Sequence, residues 1–294
     1  MACGDDDGGT NTAEQVARGR YLVNDVMLCA FCHTPRREDG MPDPTRALAG
    51  VDCFYDIDPM DDNVGCFSTR NLTNHETGLA NATDAEIKAA LIDGIGIDGR
   101  NLLPVMPYWV FHNLTDEDAD SIVAYLRTVN GVENETPQNQ PPWLEPDMPL
   151  PALTEAQIPM PVDDYPEMDA AMRGRYLTTV GTCIDCHTPE STFGAFDFDF
   201  DKALAGGRVW PADSLGYPSP PFPPFIFTTN LTPHETGLMG YTHEDIVKVM
   251  KEGVTPDKGD GPEGVCAPTH SGPSSPYAGL TDEDLSDIAH YLLS

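Results

Sequence analysis

Basic side chains are scarce in this chain of 294 residues: 16 Lys and Arg stand against 48 Asp and Glu, for a formal charge of −32. A nucleic-acid binder would need Lys and Arg to displace counterions from phosphate, so that class is excluded. The acidity is spread, −17 over residues 1–150 and −15 over 151–294, so it is not one acidic tail. Long apolar runs are missing as well. No stretch of about 18 apolar residues occurs, and no membrane span is expected. Nor is there a Gly-rich nucleotide loop, a nucleophile motif or a second metal cluster, which argues against substrate chemistry. The 40% apolar share is still enough for packed cores, and the length allows one large or two ordinary domains.

What the chain does have is eight Cys, four of them in two copies of one pattern. Cys29-Ala30-Phe31-Cys32-His33 and Cys183-Ile184-Asp185-Cys186-His187 both read C-x-x-C-H, the signature of covalent haem c attachment. The chemistry sets the spacing. Two thiols form thioethers to the haem vinyl groups, and the adjacent imidazole meets the iron from the proximal face. Two covalently attached haem c groups are therefore expected, on Cys29, Cys32 and His33 and on Cys183, Cys186 and His187.

Haem c is attached after export in bacteria, which places the protein in the periplasm or outer cell envelope. Cys3, followed by the polar run Asp5 to Thr12, reads as a lipidated residue with an acidic tether behind it, the alternative being an incidental thiol. Cys53 and Cys66 lie 13 positions apart in an Asp-rich loop. In an exported protein a disulfide is the default there and would stabilise by roughly 3 kcal/mol. Cys266 is then left over, either buried or exchanging partners with those two.

Superposing the two motifs brings most of the chain into register. Arg18-Gly19-Arg20-Tyr21-Leu22 matches Arg173-Gly174-Arg175-Tyr176-Leu177, and Ala47-Leu48-Ala49-Gly50 matches Ala203-Leu204-Ala205-Gly206. Asn71 to Leu79 matches Asn230 to Leu238, and Leu114 to Asp118 matches Leu280 to Asp284. The reading is an acidic leader over 1–12, one unit over 13–130, a connector over 131–168 and a second unit over 169–294. The connector holds nine Pro, so it should run extended along both units. A second Pro-rich insert, Trp210 to Pro224, interrupts the second unit as loop packing, a haem-edge cover or a docking surface. Helical periodicity covers Thr12 to about Leu28 and Asp169 to Val180. Thr83 with Glu86, Thr242 with Asp245, Thr115 with Asp118 and Thr281 with Asp284 have the spacing of capping boxes. Alternating Phe and Asp around Phe193 to Phe200 suggest short β-pairing.

The order of N-terminal helix, C-x-x-C-H, long loop, Met-Pro-Tyr and a Leu-Thr-Asp-Glu-Asp helix resembles the class I cytochrome c fold. It is most similar to tandem-domain c-type cytochromes that include the haem subunits of bacterial membrane-bound alcohol and aldehyde dehydrogenases. The resemblance implies a mainly α chain of two tandem class I cytochrome c-like domains. It also implies close crossings of Gly19 with Tyr125 and of Gly174 with Tyr291, and a sixth ligand before each last helix. For the first haem that ligand is Met106, whose soft thioether favours Fe(II) and raises the potential. In the second unit Ser275 stands opposite Met106, and His270 becomes the expected distal ligand, giving a lower-potential bis-His haem. His243, Met250, a Cys266 thiolate or an open iron are the alternatives. His75 and His234, equivalent in the repeat, read as loop residues near the haems. The function expected is single-electron transfer, not catalysis, between donor and acceptor proteins, basic ones or members of a membrane-bound redox complex. The rival reading is a haem subunit of a larger dehydrogenase or respiratory complex, and a third is a di-haem peroxidase or thiosulfate dehydrogenase.

Overall fold

The computed structural model describes residues 12–38, 40–58, 60–61, 63–192, 194–212, 224–253 and 277–294. Cys3, Phe193, Cys266, His270 and most of the Trp210 to Pro224 insert lie outside the described residues. Helices dominate. The first half carries α1 (Ala13–Tyr21), α2 (Cys29–His33), α3 (Asp84–Ile92), α4 (Tyr108–Phe111) and α5 (Asp116–Leu126). The second carries α6 (Met168–Val180), α7 (Cys183–His187), α8 (His243–Glu252) and α9 (Asp282–Leu292).

Helix α1 starts where the Thr12 hydroxyl accepts from the Gln15 amide at 3.1 Å, but it does not run regularly to Leu28. Leu22–Val26 forms a π-helical turn instead. Seven steps separate Leu22 from Cys29 where six separate Leu177 from Cys183, and a π-turn is the way a helix absorbs one extra residue. Both paths then break in the same manner: Leu28 (φ 57°) and Thr182 (φ 63°) are left-handed and aim the next turn, α2 or α7, away from the preceding helix.

The two closest packings are α1 on α5 and α6 on α9. A Cβ on Gly19 would lie 1.8 Å from the Ser121 carbonyl oxygen and 2.9 Å from Tyr125 Cβ, so the expected crossing with Tyr125 is there. At Gly174 a Cβ would lie 1.9 Å from the Asp287 carbonyl oxygen of α9, the helix that carries Tyr291, so this crossing is as tight as the first.

Thr83 with Glu86 and Thr242 with Asp245 make full capping boxes. The last helix of each half makes only the first part of that motif. Thr115 and Thr281 accept from the amides of Asp118 and Asp284, but those carboxylates turn outward to other partners. Two small antiparallel sheets, absent from the sequence reading, pair β1 (Val51–Asp56) with β2 (Cys66–Thr69) and β3 (Val209–Pro211) with β4 (Phe225–Phe227). Cys53 and Cys66 are disulfide-bonded across the first. The pairing expected over Phe193 to Phe200 comes down, among the described residues, to one bridge, Glu190 with Phe198.

Most of the buried apolar residues form one contiguous cluster through both halves, from Leu22 and Trp109 to Tyr291, with Leu153 and Ile158 of the connector inside it. The connector does run extended over both halves. Asn134 donates to Ala49 O and Gly50 O, Trp143 Nε1 to Gly65 O at 2.8 Å, and Leu153 N to Trp109 O at 2.8 Å. Further on, buried Arg175 donates to Pro159 O and Ile158 O and pairs with Glu155.

Two outcomes follow. Gly19→Ala forces α1 and α5 apart and should cost about 1–3 kcal/mol or more of unfolding free energy by urea denaturation, whereas Gly99→Ala, with open space around it, should show only the strain of its left-handed backbone (φ 81°) and no packing cost. Burial alone would push the Asp118 carboxyl up, but Arg18 on both its oxygens (2.8 Å each) and the Tyr176 hydroxyl (2.6 Å) hold it below 3.8. A depressed carboxyl stabilises the fold above its ordinary value, and that contribution is lost as pH falls through the folded-state value. Asp118→Asn should therefore be less stable than wild type at pH 7 and lose stability less steeply below about pH 4.

Candidate haem-attachment sites

In each half the C-x-x-C-H residues form one short helical turn, which brings both thiols and the imidazole to neighbouring positions. None of the four cysteines is disulfide-bonded. Low-polarity surroundings push the Cys29, Cys32 and Cys183 thiols up to about 12 and Cys186 higher still.

The imidazoles are fixed from the far side. His33 Nδ1 donates to Arg70 O at 2.7 Å and His187 Nδ1 to Thr229 O at 2.7 Å, two carbonyls at matching places just before the Asn-Leu-Thr blocks. These acceptor carbonyls lie 37 and 42 residues along the chain from each His. Burial lowers both imidazole pKa values. Neutral rings that donate through Nδ1 are unprotonated at Nε2, the state a metal ligand requires.

The repeated sequence blocks are parts of one network. His33 O accepts from Gly50 N at 2.8 Å, Thr34 Oγ1 from Leu48 N at 3.0 Å, and Leu48 O from Leu72 N at 2.8 Å. In the second half His187 O, Thr188 Oγ1 and Leu204 O take Gly206, Leu204 and Leu231 in the same way, at 2.7, 3.2 and 2.8 Å. Leu48 (φ 61°) and Leu204 (φ 62°) are both left-handed, and Cβ atoms at Gly50 and Gly206 would strike the chain at Arg70 and Thr229. His75 and His234 are turn residues: Nδ1 of each accepts an amide, from Thr77 and Thr236 at 3.2 Å.

Met106 sits half-buried in the turn that leads into α4, its amide bonded to Leu103 O at 3.0 Å, and packs against the same core that Cys29 borders. Of the alternatives for the second half, Met250 is in the core and His243 is turned to α9. There it bonds Ser286 Oγ at 3.0 Å and stands 4.6 Å from the His290 ring. His270 and Cys266 lie outside the described residues.

One group was missed. Arg208 is 1% exposed and donates to Asp185 Oδ1 (2.6 Å), Asp185 O (3.0 Å) and Glu190 Oε1 (2.8 Å), with its guanidinium 4.3 Å over the Trp210 ring. Burial pushes the Asp185 carboxyl up and Arg208 pulls it back, without cancelling the rise. The first half has Phe31 in place of Asp185, with Arg36 5.2 Å over its ring. An acidic residue inside C-x-x-C-H was the available signal. Nothing in sequence joined it to an Arg 23 positions on. A cavity between the halves is lined by Val105, the neighbour of Met106, and Asp185, together with Phe54, Phe67, Trp143 and Trp210.

Residues 16–130 match the family model for Cytochrome c. That segment begins inside α1 and ends where the connector starts, so the first attachment turn, its carbonyl partner and Met106 are all within it. The chain is 29% identical to a nicotinate dehydrogenase subunit of Pseudomonas putida, over 97% of the chain and 22% of the relative. It is 31% identical to the fructose dehydrogenase cytochrome subunit of Gluconobacter japonicus, over 95% of the chain and 52% of the relative. To the alcohol dehydrogenase (quinone) cytochrome c subunit of Komagataeibacter europaeus it is 32% identical, over 95% and 55%. The chain thus spans about a fifth of the first relative and about half of the other two.

Replacing Arg208 by Gln leaves Asp185 and Glu190 without their counter-ion in a buried place. Denaturation should show a loss of about 3–5 kcal/mol, part of it recovered when Glu190→Gln is added.

Proposed function

We propose that this protein is a di-haem c-type cytochrome, with one haem-binding unit over 13–130 and one over 169–294, which carries single electrons and performs no substrate chemistry. The observation that supports this most strongly is the recurrence of one proximal arrangement: two free thiols on a turn and a neutral imidazole locked through Nδ1 to a distant carbonyl. These residues suit haem c: Cys29 and Cys32, and Cys183 and Cys186, would form the thioethers, with His33 and His187 as proximal ligands. When bound, the haem supplies reversible one-electron chemistry at iron.

The chain's own side chains rank the two sites. The Met106 thioether favours the reduced state and raises the first potential, and His270 as distal ligand lowers the second. With haem held in both halves, the downhill direction for an electron would be from the second half to the first. The names of the relatives support a further step: the partner on one side is a dehydrogenase, of which this chain is the cytochrome subunit. Export to the cell envelope, with Cys3 as a lipid anchor, agrees with the Cys53–Cys66 disulfide.

A redox titration followed by electron paramagnetic resonance tests the assignment. Wild type should show two low-spin haems. Met106→Ala should lower the potential of the first, and His270→Ala should alter the signal of the second. A second haem that is already high-spin in wild type and binds cyanide readily would overturn the transfer-only reading.

A further inference from the structure

We propose that the hydroxyls of Tyr21 and Tyr176 are positioning groups for electron exchange between the halves, forming reciprocal clasps that set the separation and tilt of the two attachment turns. The proposal rests on the two-haem reading above.

The two tyrosines hold the same place in the repeated Arg-Gly-Arg-Tyr-Leu block, and each reaches out of its own half. The Tyr21 hydroxyl donates to Asp284 Oδ2 and accepts from Thr281 N at 3.2 Å. The Tyr176 hydroxyl donates to Asp118 Oδ2 at 2.6 Å and meets Thr115 N at 3.5 Å. Thr115 with Asp118 and Thr281 with Asp284 are equivalent in the repeat. Each half therefore uses the same donor on the same acceptor of the other, which is the mark of a two-fold interface. Near the axis a Cβ on Gly181 would lie 3.5 Å from Val26 O, and these residues precede the two attachment turns by two and three positions.

This is why Asp118 and Asp284 leave their capping boxes incomplete. Each carboxylate accepts from the tyrosine of the opposite half, Asp118 alongside Arg18 of its own half.

The clasps sit on α1 and α6, the helices that lead into the attachment turns, so moving either helix moves a turn. The shared core and the Trp109–Phe198 stack, with ring centroids at 4.8 Å, hold the halves together. Apolar contact has no preferred direction, whereas two hydrogen bonds on opposite sides of an axis fix rotation about it. The step served is a one-electron exchange in which one site is oxidised as the other is reduced, and its rate falls steeply with separation.

The test uses the haem-loaded protein with Tyr21→Phe, Tyr176→Phe and both together. Haem content is measured first, and fewer than two haems in wild type overturns the two-haem reading, not the clasp. Exchange between the haems is then followed by pulse radiolysis, and their magnetic interaction by electron paramagnetic resonance. The double variant should keep both haems, show an altered magnetic interaction and exchange about threefold or more slowly, with each single variant between. Tyr125→Phe, whose hydroxyl bonds Asn24 inside the first half, should change neither readout. If the double variant loads fewer haems, each single variant against Tyr125→Phe provides the same comparison. Unchanged exchange and magnetic interaction in fully loaded variants overturns the proposal.

Discussion

An imidazole that is to hold a metal through one nitrogen has to be fixed through the other, and most of this structure is arranged around that single hydrogen bond. The bond from His33 Nδ1 to Arg70 O, and its counterpart from His187 Nδ1 to Thr229 O, each close a long loop. The acceptor carbonyl must stay at 2.7 Å from a ring dozens of residues away, so both ends of each loop need support of their own. The left-handed Leu48 and Leu204, the glycines two places on, and the Asn-Leu-Thr turns provide it. The blocks that repeat in sequence are the ones this bond requires. Between them the chain is free to differ, and it does: a disulfide-bonded sheet in one half, a Pro-rich insert in the other.

Where the halves differ, electrostatics changes most. The third position of C-x-x-C-H carries Phe31 in the first half and Asp185 in the second, where a buried Arg and a second carboxylate must accompany it. The connector adds another asymmetry, since it lies over the Asn71 loop, with Val132 O and Asn134 O accepting from Asn71, whereas Asn230 is half-exposed. Two turns with one plan thus sit in unlike surroundings. On the outside, a charge of −32 spread along the chain would steer basic partners and make their association salt-dependent.

The two C-x-x-C-H turns, the repeat, the helix caps and the Gly19 crossing with Tyr125 were legible because each rests on residue type at short, fixed spacing. The small sheets were not, since β1 and β2 are separated by an Asp-rich loop and β3 and β4 are only three residues each. The cap spacing of Asp118 and Asp284 was misleading for a similar reason. A carboxylate three residues after a Thr can turn back to the cap or outward to another helix, and only the neighbour decides.

By itself the sequence determined the chemistry on offer: which thiols and imidazoles form a set, that the set occurs twice, and that Met106 stands in the first copy where Ser275 stands in the second. Those are local facts, carried by identity and spacing. Only the tertiary structure decided what fixes each imidazole, that Arg208 accompanies Asp185, and that the halves share one core and clasp each other across an axis. These depend on groups far apart in the chain, whose approach is set by packing and by the need to satisfy every buried polar atom, and neither leaves a short-range trace in the order of residues.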